Sequence, residues 1–193
     1  MSKAVMISIQ PKWCELICSG KKTVEVRKTK PKLETPFKCY IYCTYGRVWL
    51  TSVNGKVQKP NNIVLDLTKD SEVQELNGKV IGEFVCDAIF PISIFYSNPK
   101  DRLASREFPF TCLTDKEIMD YLGNGVEGYG WHISDLVIYD KPKELSEFKQ
   151  IKIIRGYHKE GETKIEKLLK GSRIEVKYLT RPPQSWCYVE ESK

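Results

Sequence analysis

Short apolar and β-branched stretches recur along the chain and predict strands rather than long helices. In residues 23–28, Val24 and Val26 fall on one face of an extended strand, and Thr23, Glu25 and Arg27 fall on the other. Further strands are predicted at residues 4–9, 37–44, 47–53, 79–90, 131–139, 173–179 and 184–190. Pro91 is expected to end or bend the long strand before it.

Proline, glycine and capping residues mark the expected helix boundaries. Pro11 suits a first helical turn and Gly20 the position after a last one, which predicts a helix over residues 11–19. Capping-box patterns predict three more short helices, beginning at Ser71, Thr114 and Thr163. The glycine-rich residues 123–130 predict a loop, without the strand–helix setting of a nucleotide-binding loop. Short strands with a few helices favour a mixed α+β barrel over a doubly wound sheet.

Length and composition favour one folded domain. The chain has 193 residues, of which 41% are hydrophobic, enough for a core. Its apolar runs are shorter than the roughly 20 residues that a membrane helix needs, and its first residues lack a signal-peptide pattern. We therefore expect an intracellular, cytoplasmic protein that does not bind membranes.

The cysteines favour reduced thiols over a metal site. There are seven, an odd number, and none has the C-x-x-C spacing. Cys14 and Cys18 could share a helical face, but only two histidines could complete a zinc site. We expect neither a metal nor a cofactor.

The net charge of +6 is unevenly distributed. Residues 1–40 carry +6, residues 41–140 carry −5, residues 141–181 carry +6, and the last twelve residues carry −1. If the two basic ends meet in space, they would form one face suited to a polyanion. A lysine-rich solvated surface explains the charge equally well.

The segment after the first predicted helix carries the most informative motif. Gly20, Lys22, Glu25 and Arg27 match the pattern G-x-K-x-x-E-x-R, which resembles the signature of the ASCH family. Residues 78–84 and 132–139 resemble later strands of that family, and residues 181–188 resemble the closing segment of its small bacterial and phage branch.

The resemblance implies a small PUA-like mixed β-barrel with a few short helices. It implies a single domain over residues 1–193, in which residues 149–178 form a helical insertion and residues 180–190 close the fold. The implied cleft suits RNA or a modified nucleoside. Oligomeric state is not predicted.

The motif brings two cations and a carboxylate to the entrance of a strand. Arg27 can bind a phosphate or carboxylate bidentately, and Lys22 offers a compact charge. Glu25 can accept hydrogen bonds from an exocyclic amine or position a water molecule. Without the resemblance, a plain Glu25–Arg27 ion pair is the better interpretation; with it, we favour a binding site.

An amidohydrolase is the enzymatic alternative, because some small ASCH proteins deacylate N4-acetylcytidine. The resemblance assigns catalysis there to a lysine, a threonine and a distant glutamate. Lys22 matches the lysine, but Glu25 stands in place of the threonine, with Thr23 nearby, and a carboxylate is a poorer acyl acceptor. Glu83 is the candidate for the distant glutamate.

Other candidate ligand-binding residues flank the motif or lie near later strands. They are Gly20, Lys21, Thr23, Trp131, His132, Gln184, Ser185 and Trp186. Trp131 and His132 could stack on a base, although a buried ring and a satisfied histidine fit the pattern as well. A third hypothesis is a protein-interaction domain whose pocket is vestigial.

Overall fold

The computed structural model describes residues 2–53, 56–58, 73–92, 109–123, 127–154 and 173–191. Its α-helices are α1 (Pro11–Cys18) and α2 (Asp115–Leu122), and its 3-10 helices span Pro109–Thr111 and Leu145–Glu147. The strands are β1 (Lys3–Ile9), β2 (Val24–Arg27), β3 (Phe37–Cys43), β4 (Thr51–Val53), β5 (Lys56–Gln58), β6 (Val73–Glu75), β7 (Val80–Cys86), β8 (Ile89–Ile92), β9 (Gly128–His132), β10 (Ser134–Lys143), β11 (Lys149–Ile154), β12 (Arg173–Tyr178) and β13 (Trp186–Glu190). In the described ranges no helix is long and apolar enough to cross a membrane.

A seven-stranded sheet in the order β10-β7-β3-β1-β13-β11-β12 organises the fold. β1 pairs in parallel with β3 and antiparallel with β13. Because side chains alternate across a strand, β1 supplies both faces of the sheet. Val5, Ile7 and Ile9 enter one core, and Ala4 and Met6 enter the other. This double coverage explains why Ala4–Ile9 is continuously apolar apart from Ser8.

A second sheet, in the order β2-β9-β8, carries the motif strand, and a third joins β5, β4 and β6. In the second sheet Glu25 lies opposite Trp131 and Arg27 opposite Tyr129. The Trp131 indole belongs to the core that contains Val5. The second sheet therefore packs onto one face of the large sheet and brings β2 to the end of β1.

Helix α2 is anchored beside β2. As predicted, Thr114 and Glu117 form a capping box and Gly123 follows the last turn. Ile118 and Leu122 pack in a small core with Val26 and Ile92. The opposite side of α2 is left to face solvent and the space next to β2.

Two short predictions are wrong because strand pairing overrides local propensity. The capping-box pattern at Ser71 predicts a helix, but residues 73–75 form β6 and pair with β4. Gly128 and Gly130 lie in β9 rather than in a loop. A Cβ at Gly130 would lie 2.4 Å from the Phe90 ring, so the glycine is required by the close approach of β8.

The long strands predicted at 79–90 and 131–139 are each divided between two sheets. The first becomes β7 and β8, and the second becomes β9 and β10. Pro91 lies within β8, one residue before the strand ends at Ile92, and the division from β7 comes earlier, at residues 87–88. β8 is the edge strand of its sheet, where a proline is tolerated because its missing N–H faces away from the ladder.

The predicted β-barrel and the predicted helical insertion need correction. Within the described residues the large sheet is open, with β10 and β12 at its edges. Residues 149–154 and 173–178 form β11 and β12, which extend this sheet by antiparallel pairing. The helix predicted from Thr163 lies outside the described residues. The predicted closing segment contains β13, which pairs with β1.

Candidate ligand-binding cleft

A cleft of about 570 Å³ lies where β2, the end of β1, α1 and α2 meet. This volume is in the range of small-molecule sites. Its lining residues are Ser8, Ile9, Gln10, Lys12, Trp13, Lys22, Glu25, Val26, Arg27, Thr44, Leu113, Glu117, Asp120, Tyr121, Gln184 and Ser185. The three charged residues of the motif thus line one concave surface.

Lys22 forms part of the cleft floor, and its side chain is 1% exposed. Its Nζ donates to the carbonyl oxygens of Val24 at 2.9 Å and Thr111 at 2.6 Å. It also lies 3.3 Å from Glu25 Oε2. An ammonium group has three protons, so these three oxygens can engage all of them.

Arg27 holds the other oxygen of Glu25. Arg27 Nη2 lies 2.9 Å from Glu25 Oε1 and donates to the Ser8 carbonyl at 2.7 Å. Arg27 Nη1 donates to Ser185 Oγ at 3.3 Å. Its Nε is buried without an acceptor among the described residues. The same-face alternation expected for β2 therefore places Glu25 between two buried cations.

The wall formed by α1 and α2 adds acidic groups to the cleft. Lys12 Nζ lies 3.3 Å from Glu117 Oε1, and Asp120 lines the cleft one helical turn further on. The Thr114 backbone N–H, followed by the Thr114 hydroxyl and Lys12, holds the pKa of Glu117 below its usual range. The lining as a whole carries three cations and three carboxylates, so its formal charge is zero.

Two aromatic side chains line the cleft, one from each helix. Trp13 projects from α1 and Tyr121 from α2. Lys12 Nζ lies 4.0 Å and Lys22 Nζ 5.3 Å from the centroid of the Trp13 ring system. The Tyr121 side chain is 38% exposed. Both rings offer apolar surface beside the polar floor.

Three candidate residues of the motif segment do not line the cleft. Gly20 has a φ of +71° and ends the turn after α1, a conformation that favours glycine. The Lys21 side chain is exposed, and its carbonyl accepts from Cys112 Sγ. Thr23 exchanges backbone hydrogen bonds with Phe110 and Ile133. These residues shape the entry to β2.

The aromatic candidates near β9 and β13 also lie outside the cleft. Trp131 is completely buried, and its ring contacts Phe37 and Trp186. Trp186 Nε1 donates to Thr29 Oγ1 at 3.0 Å. His132 Nδ1 lies 2.6 Å from Asp87 Oδ1. Of the candidates in the closing segment, Gln184 and Ser185 do line the cleft.

Glu83 is separated from the motif. It lies on β7 opposite Tyr40, whose ring belongs to the core on the far face of the large sheet. Burial alone raises the pKa of Glu83, but hydrogen bonds from Tyr139 at 2.6 Å and Lys38 at 2.9 Å outweigh burial and lower it. Glu83 is therefore a paired carboxylate outside this cleft.

Several cleft residues were missed in the sequence. Trp13, Glu117, Asp120 and Tyr121 line the cleft, although no sequence motif singled them out as candidates. Tyr121 and Glu117 are four residues apart, so they share a helix face. That spacing indicates a shared helix face, but no sequence pattern near it indicates that the face lies beside a motif about ninety residues earlier.

The thiols have no arrangement suited to metal binding in the part of the chain that the structure places. There, no three His, Cys, Asp or Glu side chains form a metal-sized cluster. The seven cysteines are free. Burial raises the pKa of Cys18 and of Cys86 to about 12, so both stay protonated at neutral pH.

Comparison with known proteins identifies the fold. The sequence matches no protein-family description, and no curated protein matches it. Among solved structures, the crystal structure of ASCH from Zymomonas mobilis aligns with a TM-score of 0.55 and 18% identity, covering 97% of this chain and 88% of that one. A serine-to-alanine mutant of the same Zymomonas mobilis protein aligns with the same TM-score and identity, covering 97% and 89%. The expected resemblance is thus confirmed in the fold: the chain has the fold of an ASCH protein.

Proposed function

We propose that the cleft binds one nucleobase, either of a modified nucleoside or of an unpaired RNA nucleotide. The observation that carries this proposal is the Glu25 carboxylate, held by Lys22 and Arg27 at the floor of a concave site with aromatic walls. Two buried cations keep this carboxylate in one orientation. It can therefore accept hydrogen bonds from a ligand in addition to neutralising Lys22 and Arg27.

Glu25 has acceptor capacity left for a ligand. Each of its oxygens is engaged by one cation, whereas a carboxylate offers about four lone-pair positions. Acidic side chains accept hydrogen bonds from the exocyclic amine of cytosine. The Ser185 hydroxyl and the Gln184 amide line the same cleft and can bond the carbonyl edge of the same base.

The charge balance favours an uncharged ligand group. The three cations of the lining are offset by Glu25, Glu117 and Asp120. A phosphate in the cleft would lie near these carboxylates, and like charges at short range are unfavourable. A neutral nucleobase carries no such penalty, so the base enters and any phosphate stays outside.

Trp13 and Tyr121 supply stacking surfaces for the base. Base–aromatic stacking contributes about 1–3 kcal/mol per base and tolerates different bases. The polar floor would therefore select the base, while the walls would supply affinity.

Amide hydrolysis of an acylated cytidine is the alternative activity, and the geometry favours it less. A lysine that acts on a substrate needs a free donor or a free lone pair, but three oxygens surround Lys22 Nζ. Glu83 lies outside the cleft. If the chain is instead a protein-interaction domain with a vestigial pocket, we expect no nucleoside to bind.

Calorimetric titration with cytidine, adenosine, uridine and N4-acetylcytidine tests the proposal. We expect Glu25→Gln to weaken binding of the preferred nucleoside about 10- to 100-fold, since a hydrogen bond to a charged group contributes about 1.5–3 kcal/mol. Glu83→Gln is the matched control and should bind like the wild type. Tyr121→Ala, at a partly exposed ring, tests the same site with little risk to folding.

Three outcomes would overturn the binding proposal. The first is that no nucleoside binds, and the second is that both glutamate variants bind equally well. The third is release of deacylated product from N4-acetylcytidine, measured by chromatography and abolished by Lys22→Ala. That result would establish the hydrolase instead.

A further inference from the structure

A second concavity of about 400 Å³ lies at the far edge of the large sheet. Its lining residues are Gln150 and Lys152 of β11, Glu175, Lys177 and Tyr178 of β12, and Leu179, Thr180 and Arg181 of the segment that follows. We propose that this concavity binds the phosphodiester backbone of a single-stranded nucleic acid whose base occupies the first cleft. This inference rests on the proposed function.

The charges of the second concavity differ from those of the first. Lys152, Lys177 and Arg181 face one carboxylate, Glu175, which gives a formal charge of +2. Lys177 Nζ lies 2.7 Å from Glu175 Oε1, so the carboxylate is already engaged by one of these cations. Arginine and lysine in a shallow groove are the usual ligands of phosphate groups.

Tyr178 adds a stacking surface at the edge of the sheet, on the face of β12 opposite Lys177 and Glu175, because side chains alternate along a strand. Its side chain is 60% exposed, and Lys149 Nζ lies 5.2 Å from the ring centroid. An exposed aromatic ring among cations is the arrangement that binds single strands without reading their sequence, because every base has a face to stack. Bases of a duplex are already stacked on each other, so this feature favours a single strand.

One chain segment connects the two sites. Residues 179–185 run from β12 to β13, and they line the second concavity at Arg181 and the first cleft at Gln184 and Ser185. Three residues span at most about 11 Å, and a strand of nucleic acid advances about 3.4 Å per stacked nucleotide. The backbone contacts of Arg181 would therefore lie within about three nucleotides of the bound base.

The segment is also held in place. Ser8 Oγ donates to the Pro183 carbonyl at 2.7 Å, and the Ser8 backbone N–H donates to the Ser185 carbonyl at 2.9 Å. Ser8 in turn accepts from Arg27 through its own carbonyl. The first cleft and the second concavity are thus both lined by this hydrogen-bonded segment. The base enters a neutral cleft, and its phosphates meet the cations.

The test compares a six-nucleotide single-stranded oligocytidylate with free cytidine over a range of salt concentrations. In Lys152→Ala/Arg181→Ala, the slope of log affinity against log salt for the oligonucleotide should flatten by about 1.4, since each neutralised phosphate contributes about −0.7. Affinity for cytidine should stay unchanged. The matched control is Arg47→Ala/Lys56→Ala, which removes the same residue types from exposed positions outside both sites.

The two proposals fail in different ways. If cytidine binds but the double variant keeps the wild-type slope, the second concavity is not a phosphate site and the nucleobase cleft stands. If none of the four nucleosides binds but the slope flattens, the nucleobase proposal fails and the phosphate site stands. Polyglutamate or a duplex binding to this concavity as tightly as the oligonucleotide would also overturn the single-strand inference.

Discussion

The buried side chain of Lys22 connects the motif to the rest of the molecule. Its ammonium bonds a carbonyl of β2, the carbonyl of Thr111 from the segment before α2, and the carboxylate of Glu25. Removing one partner of a buried ion pair leaves an uncompensated charge, which costs about 3–5 kcal/mol. Lys22 is therefore expected to stabilise the fold as well as the site.

We predict that Lys22→Met lowers the free energy of unfolding by about 3–5 kcal/mol in urea titrations. Lys21→Met is the matched control, because Lys21 is adjacent and exposed. Its effect should stay within about 0.5 kcal/mol. Equal stability of the two variants would contradict the structural role of the Lys22 contacts.

For individual residues, the sequence predicted which face of a strand a side chain occupies but not how deeply it is buried. Alternation along β2 correctly predicted that Glu25 and Arg27 share a face, as their 2.9 Å contact confirms. The burial of Lys22 was not predictable, because one of its acceptors, Thr111, lies 89 residues away. Trp131 could equally be a stacking ring or a core residue from its sequence, and its complete burial assigns it to the core.

Helix α2 supplies the acidic wall of the cleft, and its first turn depends on the capping box. Glu117 accepts from the backbone N–H of Thr114 at 3.0 Å, and Thr114 Oγ1 accepts from that of Glu117 at 3.2 Å. The pKa of Glu117 is lowered in the folded protein, chiefly by the Thr114 N–H. The ionised form therefore favours the folded state at neutral pH.

This lowered pKa predicts a pH-dependent contribution to stability. The contribution is fully present above the pKa that Glu117 has in the unfolded chain, and it is lost as the pH falls through the lower folded pKa. Wild type and Glu117→Gln should thus differ in unfolding free energy at pH 7 and converge towards pH 3. A difference that stays constant or grows on acidification would contradict the assignment.

Local patterns predicted some elements and failed for others for one physical reason. The capping box at Thr114 was correct because Ile118 and Leu122 also find a core. The similar pattern at Ser71 failed because residues 73–75 gain backbone hydrogen bonds from β4. Pairing between distant strands is not encoded in a window of four residues, so it overrode the local preference.

At the scale of the whole molecule, β13 joins the two parts of the large sheet. It pairs with β1 on one side and β11 on the other, and it buries Val189 completely. Truncation after Leu179 should therefore remove folded structure, seen as loss of the cooperative thermal transition in circular dichroism. A chain ending at Glu191 is the control, and a truncated protein that melts like it would contradict this role of β13.

The sequence predicted the general architecture but not that the large sheet stays open in the described region. The order of strands and helices, together with the motif, indicated the α+β ASCH-type fold that the comparison confirms. The expected barrel is an open sheet in the described region, and the expected helical insertion begins and ends as β11 and β12. The strand predicted at residues 173–179 is confirmed as β12, an edge strand of the large sheet. β11 lies between β12 and β13 and was not predicted, because both of its partners come later in the chain.

Nuclear magnetic resonance of the four tryptophan indole N–H groups, during titration with the preferred nucleoside, tests the central claim most directly. Trp13 lines the cleft, whereas Trp131 is buried in the core and Trp49 lies outside the cleft. We predict a saturable shift that is largest for Trp13, accompanied by a shift of the Arg27 Nε–H. Shifts centred on Trp49 or Trp131, with Trp13 and Arg27 unchanged, would contradict a nucleobase site at Glu25.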